Sequence, residues 1–111
     1  MNYLHVWADL RDCHTDLQFC DAVLAYLGYL KNQGLLEDYS IARRKFGFGP
    51  DELGEFHIVI MGRDLTQLDA AFNEVVARSG EVERLHVAMY RLVANTQAAL
   101  YRDFPDPQRA R

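Results

Sequence analysis

The side chains of this sequence best suited to chemistry are two histidines set among aromatic residues. His5 lies in NYLHVWADL and His57 in EFHIVI, two stretches in which side chains alternate as they do along a β-strand. If the two strands are neighbours, His5 and His57 come together on one face with Tyr3 and Trp7. Imidazoles titrate near neutrality, so such a pair can pass protons, bind a metal or orient a polar ligand. Two histidines with no carboxylate or thiol placed beside them make an incomplete metal set, and no metal is expected. His5 and His57 are therefore the catalytic candidates. The plainer alternative is that both are hydrogen-bonded interface residues, because buried polar groups find partners whether or not they have a function.

Arg43, Arg44 and Lys45 form a short basic run. On a strand, alternate side chains point to opposite faces, so at most Arg43 and Lys45 share the histidine side. The planar fork of Arg43 suits a carboxylate or a phosphate. A solvated strand end is the competing reading. With Tyr3, Trp7, Asn95 and Tyr101, Arg43 completes a candidate ligand set for a small anionic or aromatic molecule. No cofactor is implied.

Other motifs are weaker. Cys13 and Cys20 stand seven apart, which fits neither a zinc pattern nor a CxxC redox pair. Cys20 falls on the apolar side of a predicted helix, and Cys13 in a loop beside His14. His86 reads as a helix-flank residue. KFGFG resembles the core of RNA-recognition strands, but those need aromatics at mid-strand on an open sheet. Here Phe46 and Phe48 fall at a strand end, broken by Gly49-Pro50. The formal net charge of -4 supplies no electrostatic footprint, so nucleic acid is not an expected partner. The same glycines complete no phosphate loop.

The positioning elements follow from periodicity. Asn2 to Ala8 alternates and is a strand with large side chains on both faces. Thr15 and Gln18 have the spacing of a capping box. Beyond them Leu17, Cys20, Leu24, Leu27 and Leu30 trace a helical stripe, widened by Phe19, Val23 and Tyr26, until Gly34 ends the helix. Leu36 to Phe46 reads as a second strand, with Tyr39, Ile41 and Arg43 on the face of the histidines. Gly47 to Gly54 turns the chain, and Phe56 to Met61 is the clearest strand of all. Asp64 caps a second helix with buried Leu65, Leu68, Phe72, Val75 and Val76, closed by Gly80. Val82, Leu85, Met89 and Val93 mark a third, shorter helix. Val93 to Tyr101 reads as the last strand, with a continued helix as the competing reading.

The order β-α-β-β-α-(α)-β gives a split βαβ, that is a ferredoxin-like α+β domain over residues 1–104 with a tail at 105–111. Its four-stranded antiparallel sheet has helices on one face, and its first and third strands lie side by side in the centre. Leu4, Val6, Phe56, Ile58 and Ile60 are the helix-facing set. The opposite face carries Tyr3, His5, Trp7, His57, Val59 and Met61, too apolar to stay in water as one patch. A second copy of the chain is the simplest cover. With 111 residues, 50% of them hydrophobic, one core suffices. No apolar run is long enough to span a bilayer and no leader pattern opens the sequence, so neither a membrane partner nor export is expected. Cytoplasmic placement is the default.

The layout resembles the dimeric α+β barrel superfamily, in which two ferredoxin-like subunits pack sheet to sheet around a central cavity. More closely, NYLHVWADL, ARRKFGFGPDELGEFHIVI and ALYRDFPDP resemble a bacterial family of short uncharacterised proteins, across nearly the whole chain. That closer likeness implies the fold and carries no catalytic residue. The wider superfamily includes cofactor-independent monooxygenases, haem-handling enzymes, isomerases and stress-response proteins, and fold alone does not choose among them. Two functions follow as expectations. One is a homodimeric small-molecule pocket on the open sheet face, with catalysis as an extension. The other is an interaction or regulatory module whose aromatics only fill the dimer interface.

Overall fold

Period-two alternation of β-formers sets the first strand, β1 (Asn2–Leu10), at the centre of the molecule. The computed structural model describes residues 1–109; the last two tail residues, 110 and 111, lie outside the described residues. After β1 the chain runs through α1 (Asp16–Asn32), β2 (Asp38–Arg43), β3 (Phe56–Gly62), α2 (Leu65–Val76), α3 (Gly80–Tyr90) and β4 (Val93–Arg102). The strands form one antiparallel sheet in the order β2-β3-β1-β4. This is the ferredoxin-like α+β arrangement, and β4 is a strand throughout rather than a continued helix.

One face of the sheet meets the helices. Ala8, Phe56 and Ile58 pack there against Phe19, Val23, Leu27 and Leu30 of α1 and Val82 of α3. Leu4, Val6 and Ile60 lie on the same side as expected. The α1 stripe is rotated from the expected one: Leu17 is 77% exposed and Leu24 42%. Cys20 is only half-buried. The Phe19-Val23-Tyr26 edge, read as a margin of the stripe, faces the core instead. In α2, Leu68 and Ala71 are buried while Leu65, Phe72 and Val76 are exposed.

The caps explain further differences. No capping box forms at Thr15; its hydroxyl donates to the Asp12 carbonyl at 2.7 Å. A short 3-10 turn, Cys13–Thr15, precedes the helix, and the Asp12 carboxylate caps that turn by accepting from the His14 N–H. At α2 the expected cap is present, with the Asp64 carboxylate accepting from the Gln67 N–H at 2.8 Å. Gln67 reaches back to accept from the Arg63 N–H, so two orphan donors are satisfied together. Asp64→Ala is expected to cost about 1 kcal/mol, seen as a lowered urea midpoint with an unchanged slope. Gly80 does not close α2. Arg78, with φ of 52°, turns the chain out of that helix, and Gly80 begins α3.

The strand Leu36 to Phe46 is shorter than expected because residues 44–55 peel away as a long connection. The Arg44 guanidinium holds that connection closed by donating to the Pro50 and Leu53 carbonyls. Beyond β4 the tail folds back at Asp103, whose carboxylate accepts from the Tyr3 hydroxyl and from the terminal amine.

Candidate functional site

The sheet face turned away from the helices brings the two histidines together. In the β1–β3 register Trp7 lies opposite His57 and His5 opposite Val59, so the imidazoles are diagonal neighbours on one face. His5 Nδ1 and His57 Nε2 are 2.9 Å apart, a hydrogen bond in which one ring donates and the other accepts. Trp7 stacks on His57 at 5.0 Å between ring centroids, and Tyr101 meets His5 edge-on at 5.0 Å. Burial, and then the neighbouring His5, hold the His57 imidazole below the usual histidine range. Tyr3 shares the face, but its hydroxyl is committed to Asp103, and that bond raises it above the usual tyrosine range.

Asn95 also faces this side, opposite Asp9 and two pairs beyond Trp7–Gln97, so Gln97 is the nearer polar neighbour of the rings. Arg43 lines a groove together with Trp7 and His57, but not from the face that carries the rings. It pairs with Phe56, which places it, like Tyr39 and Ile41, on the helix side of the sheet. There its guanidinium donates to Glu55 and Asp16, both at 3.0 Å, and lies over the Phe56 ring. Alternation divides a strand into two sets without saying which set is buried, and a slip of one residue exchanges them. The buried pairing of Tyr39 and Ile41 with Ile60 and Ile58 decided it here.

The sheet-face rings lie against one another. Beside them a groove of about 310 Å³ separates Trp7 and His57 from the 44–55 connection. An apolar cavity of about 360 Å³ lies on the opposite side, between the sheet and all three helices. Leu4, Val6, Ile58, Val23 and Met89 are among its walls, with the more exposed Phe72 of α2 and Tyr90 of α3. Tyr26, His86 and Tyr90 form an aromatic run along it: His86 meets Tyr26 at 5.4 Å edge-on and stacks on Tyr90 at 5.4 Å. Burial pushes the Tyr26 hydroxyl up to about 12, so it stays a neutral donor. Among the described residues no protein group hydrogen-bonds that hydroxyl, it is not a sealed, unsatisfied atom, and Tyr26 is part of the cavity wall.

Sequence reasoning missed this run. Tyr26 read as the margin of a stripe, His86 as a flank, and Tyr90 not at all. Their signal was the recurrence of ring-bearing polar residues at i and i+4 of α3, opposite a tyrosine on α1. Elsewhere, Asp12, Cys13 and His14 hold three potential metal-binding atoms within 4.8 Å of one another, all exposed on the turn before α1.

A ferredoxin-like sheet with one aromatic open face and a helix-side cavity is the class of protein that the fold and the site define. The sequence matches the family of unknown function DUF6614 over residues 1–111, and the chain belongs to that family. No curated protein is matched by the sequence. Among solved structures the chain is similar to a dimeric ferredoxin-like protein of unknown function from Jannaschia sp. CCS1, with a TM-score of 0.67 and 13% identity, covering 92% of this chain and 98% of that one. A second such dimeric protein, from Thermobifida fusca YX, gives a TM-score of 0.61 at 14% identity over 91% and 90% of the two chains. An antibiotic biosynthesis monooxygenase gives 0.62 at 13% identity over 95% and 100%. At these identities the likeness is one of fold. No helix is long and apolar enough to cross a membrane among the described residues.

Proposed function

We propose that the chain is a homodimeric small-molecule-binding protein. Its subunits meet through the open sheet face, and each holds one mainly apolar, ring-bearing ligand between its sheet and helices. The carrying observation is an apolar cavity of about 360 Å³ whose wall includes Tyr26, His86 and Tyr90, with no protein partner for the Tyr26 hydroxyl among the described residues. That volume falls in the range of ordinary ligand sites, and apolar walls with a few polar groups are their usual chemistry. Tyr26 and His86 supply the hydrogen bonds that would orient the occupant. No Arg, Lys, Asp or Glu lines the cavity among the described residues, so an uncharged aromatic fits it better than an anion. The pocket thus moves from the open face to the helix side. The dimer is supported by two dimeric structural neighbours and by the half-exposed Trp7, Val59 and Met61 on the open face.

The test combines native mass spectrometry with melting in the presence of 2-naphthol and other one- and two-ring phenols. A ligand that binds only the folded state raises Tm by mass action. A dimer whose Tm rises with at least one of these probes is expected. Ala98 lies exposed at the cavity wall, and Ala98→Phe should fill the space and abolish the rise. Tyr26→Phe, which removes one hydrogen bond, should weaken binding roughly two- to tenfold. A dimer that carries no extra mass and gains nothing from any probe would overturn the ligand and leave the filled-interface module. A rise that survives Ala98→Phe would place the ligand elsewhere.

A further inference from the structure

Resting on the sheet-to-sheet dimer proposed above, we infer that the His5–His57 pair makes that dimer sensitive to pH, separating the subunits as the pair gains protons. The geometry sets the rule. With Nδ1 of His5 and Nε2 of His57 2.9 Å apart, one nitrogen must present a hydrogen and the other a lone pair. A neutral pair satisfies this, and so does a pair with one extra proton on an outer nitrogen. A second extra proton puts N–H against N–H at that distance and replaces the hydrogen bond with repulsion between two cations. Covering the pair with a partner removes the water that would otherwise solvate even a single charge.

Among the described residues no counter-ion is placed to relieve this. Their carboxylates near the open face are Asp9, Asp38 and Asp103, all at its rim and all engaged. Asp9 accepts from the Glu55 N–H, Asp38 from Lys31 and the Tyr39 N–H, and Asp103 from Tyr3 and the terminal amine. Glu55, at the groove beside His57, is held by Arg43. The same groove brings in Arg44, a fixed positive charge bound only to carbonyls, which disfavours a further cation. Among the described residues Tyr3 and Tyr101 are the phenols on the face, and Asp103 holds the Tyr3 hydroxyl above the usual tyrosine range. An isologous partner presents this same set and adds no new kind of group.

The sign follows. A base that binds protons more weakly in the dimer than in the free subunit favours the dimer at high pH. That contribution is complete above the free subunit's own value and is lost as pH falls from there towards the dimer's lower one. Burial and His5 already hold His57 below the ordinary histidine range within one subunit, so the loss begins below about 6.5. One proton taken up per subunit on separation gives a limiting hundredfold change in dimer dissociation constant per pH unit, roughly.

Sedimentation equilibrium over a concentration series at pH 8.0, 7.0, 6.0 and 5.5, with circular dichroism as the check on folding, reads this directly. The wild-type dissociation constant is expected to rise at least about threefold between pH 7.0 and 5.5. The double variant His5→Asn/His57→Gln keeps an amide near each lost ring nitrogen but cannot titrate there, and should give a flat profile. A wild-type profile as flat as that of the double variant, with a dimer at every pH, would overturn the inference and leave the dimer standing. So would an unchanged slope in the double variant. A folded monomer at pH 8.0 would overturn the dimer itself, and this inference with it.

Discussion

Phe19→Ala is expected to remove about 3–5 kcal/mol, the range for deleting a buried aromatic ring. Phe19 is 0% exposed, on the first full turn of α1, and meets Phe56 of β3 edge-on at 5.2 Å. Removing the ring loses its transfer energy and the aromatic contact together. The site also has little room to close. Phe19 lines the helix-side cavity, so its absence would enlarge an existing void rather than open a small one that neighbours could fill. That argues for the upper part of the range. A domain of this size has only about 5–15 kcal/mol in total, so the variant should be folded narrowly or not at all at 37 °C. Urea unfolding would show a large drop in midpoint. Phe19→Leu keeps most of the volume and should lose far less. A Phe19→Ala midpoint within experimental error of wild type would mean that α1 does not bury this edge against β3.

The elements of this fold were legible because strong local patterns carried them. Alternation in NYLHVWADL and EFHIVI, the Asp64 cap and the glycine after α1 each reflect an interaction within a few residues. Their order then left few topologies. What failed was a choice between equivalent alternatives. Tyr39, Ile41 and Arg43 alternate correctly, but the side they occupy depends on pairing with β3, a tertiary fact. The α1 stripe likewise turned towards Phe19 and Tyr26 because Phe56, Ile58 and His86 meet that edge. The histidine cluster was readable, since both members sit on central strands whose register the apolar residues fix. The cavity was not. Two of its aromatic walls, Phe72 and Tyr90, stay more than half exposed, and no spacing rule encodes a volume left unfilled.

Gly54→Ala should be the other severe substitution, for the opposite reason. A Cβ there would lie 2.7 Å from the backbone nitrogen and carbonyl carbon of Ala8, and 2.8 Å from its oxygen. Backbone cannot rotate away as a side chain can. Ala8 is 1% exposed and paired on both sides, with Phe56 of β3 and Thr96 of β4, so β1 has no direction in which to retreat. The 44–55 connection must therefore lift. That would strain the bond from the Glu55 N–H to Asp9 and the one from the Arg44 N–H to the Glu55 carbonyl. A cost of about 2–3 kcal/mol is expected, near the top of the range for overpacking, and Tm should fall by about 10 °C or more. The consequence reaches the open face, because this connection forms the far wall of the groove beside Trp7 and His57. At pH 8.0, where the histidine pair holds no extra proton, Gly54→Ala should still weaken the dimer. An unchanged Tm would show that the connection does not press on Ala8. A lowered Tm with an unchanged dimer would confine the damage to one subunit and leave the groove outside the interface.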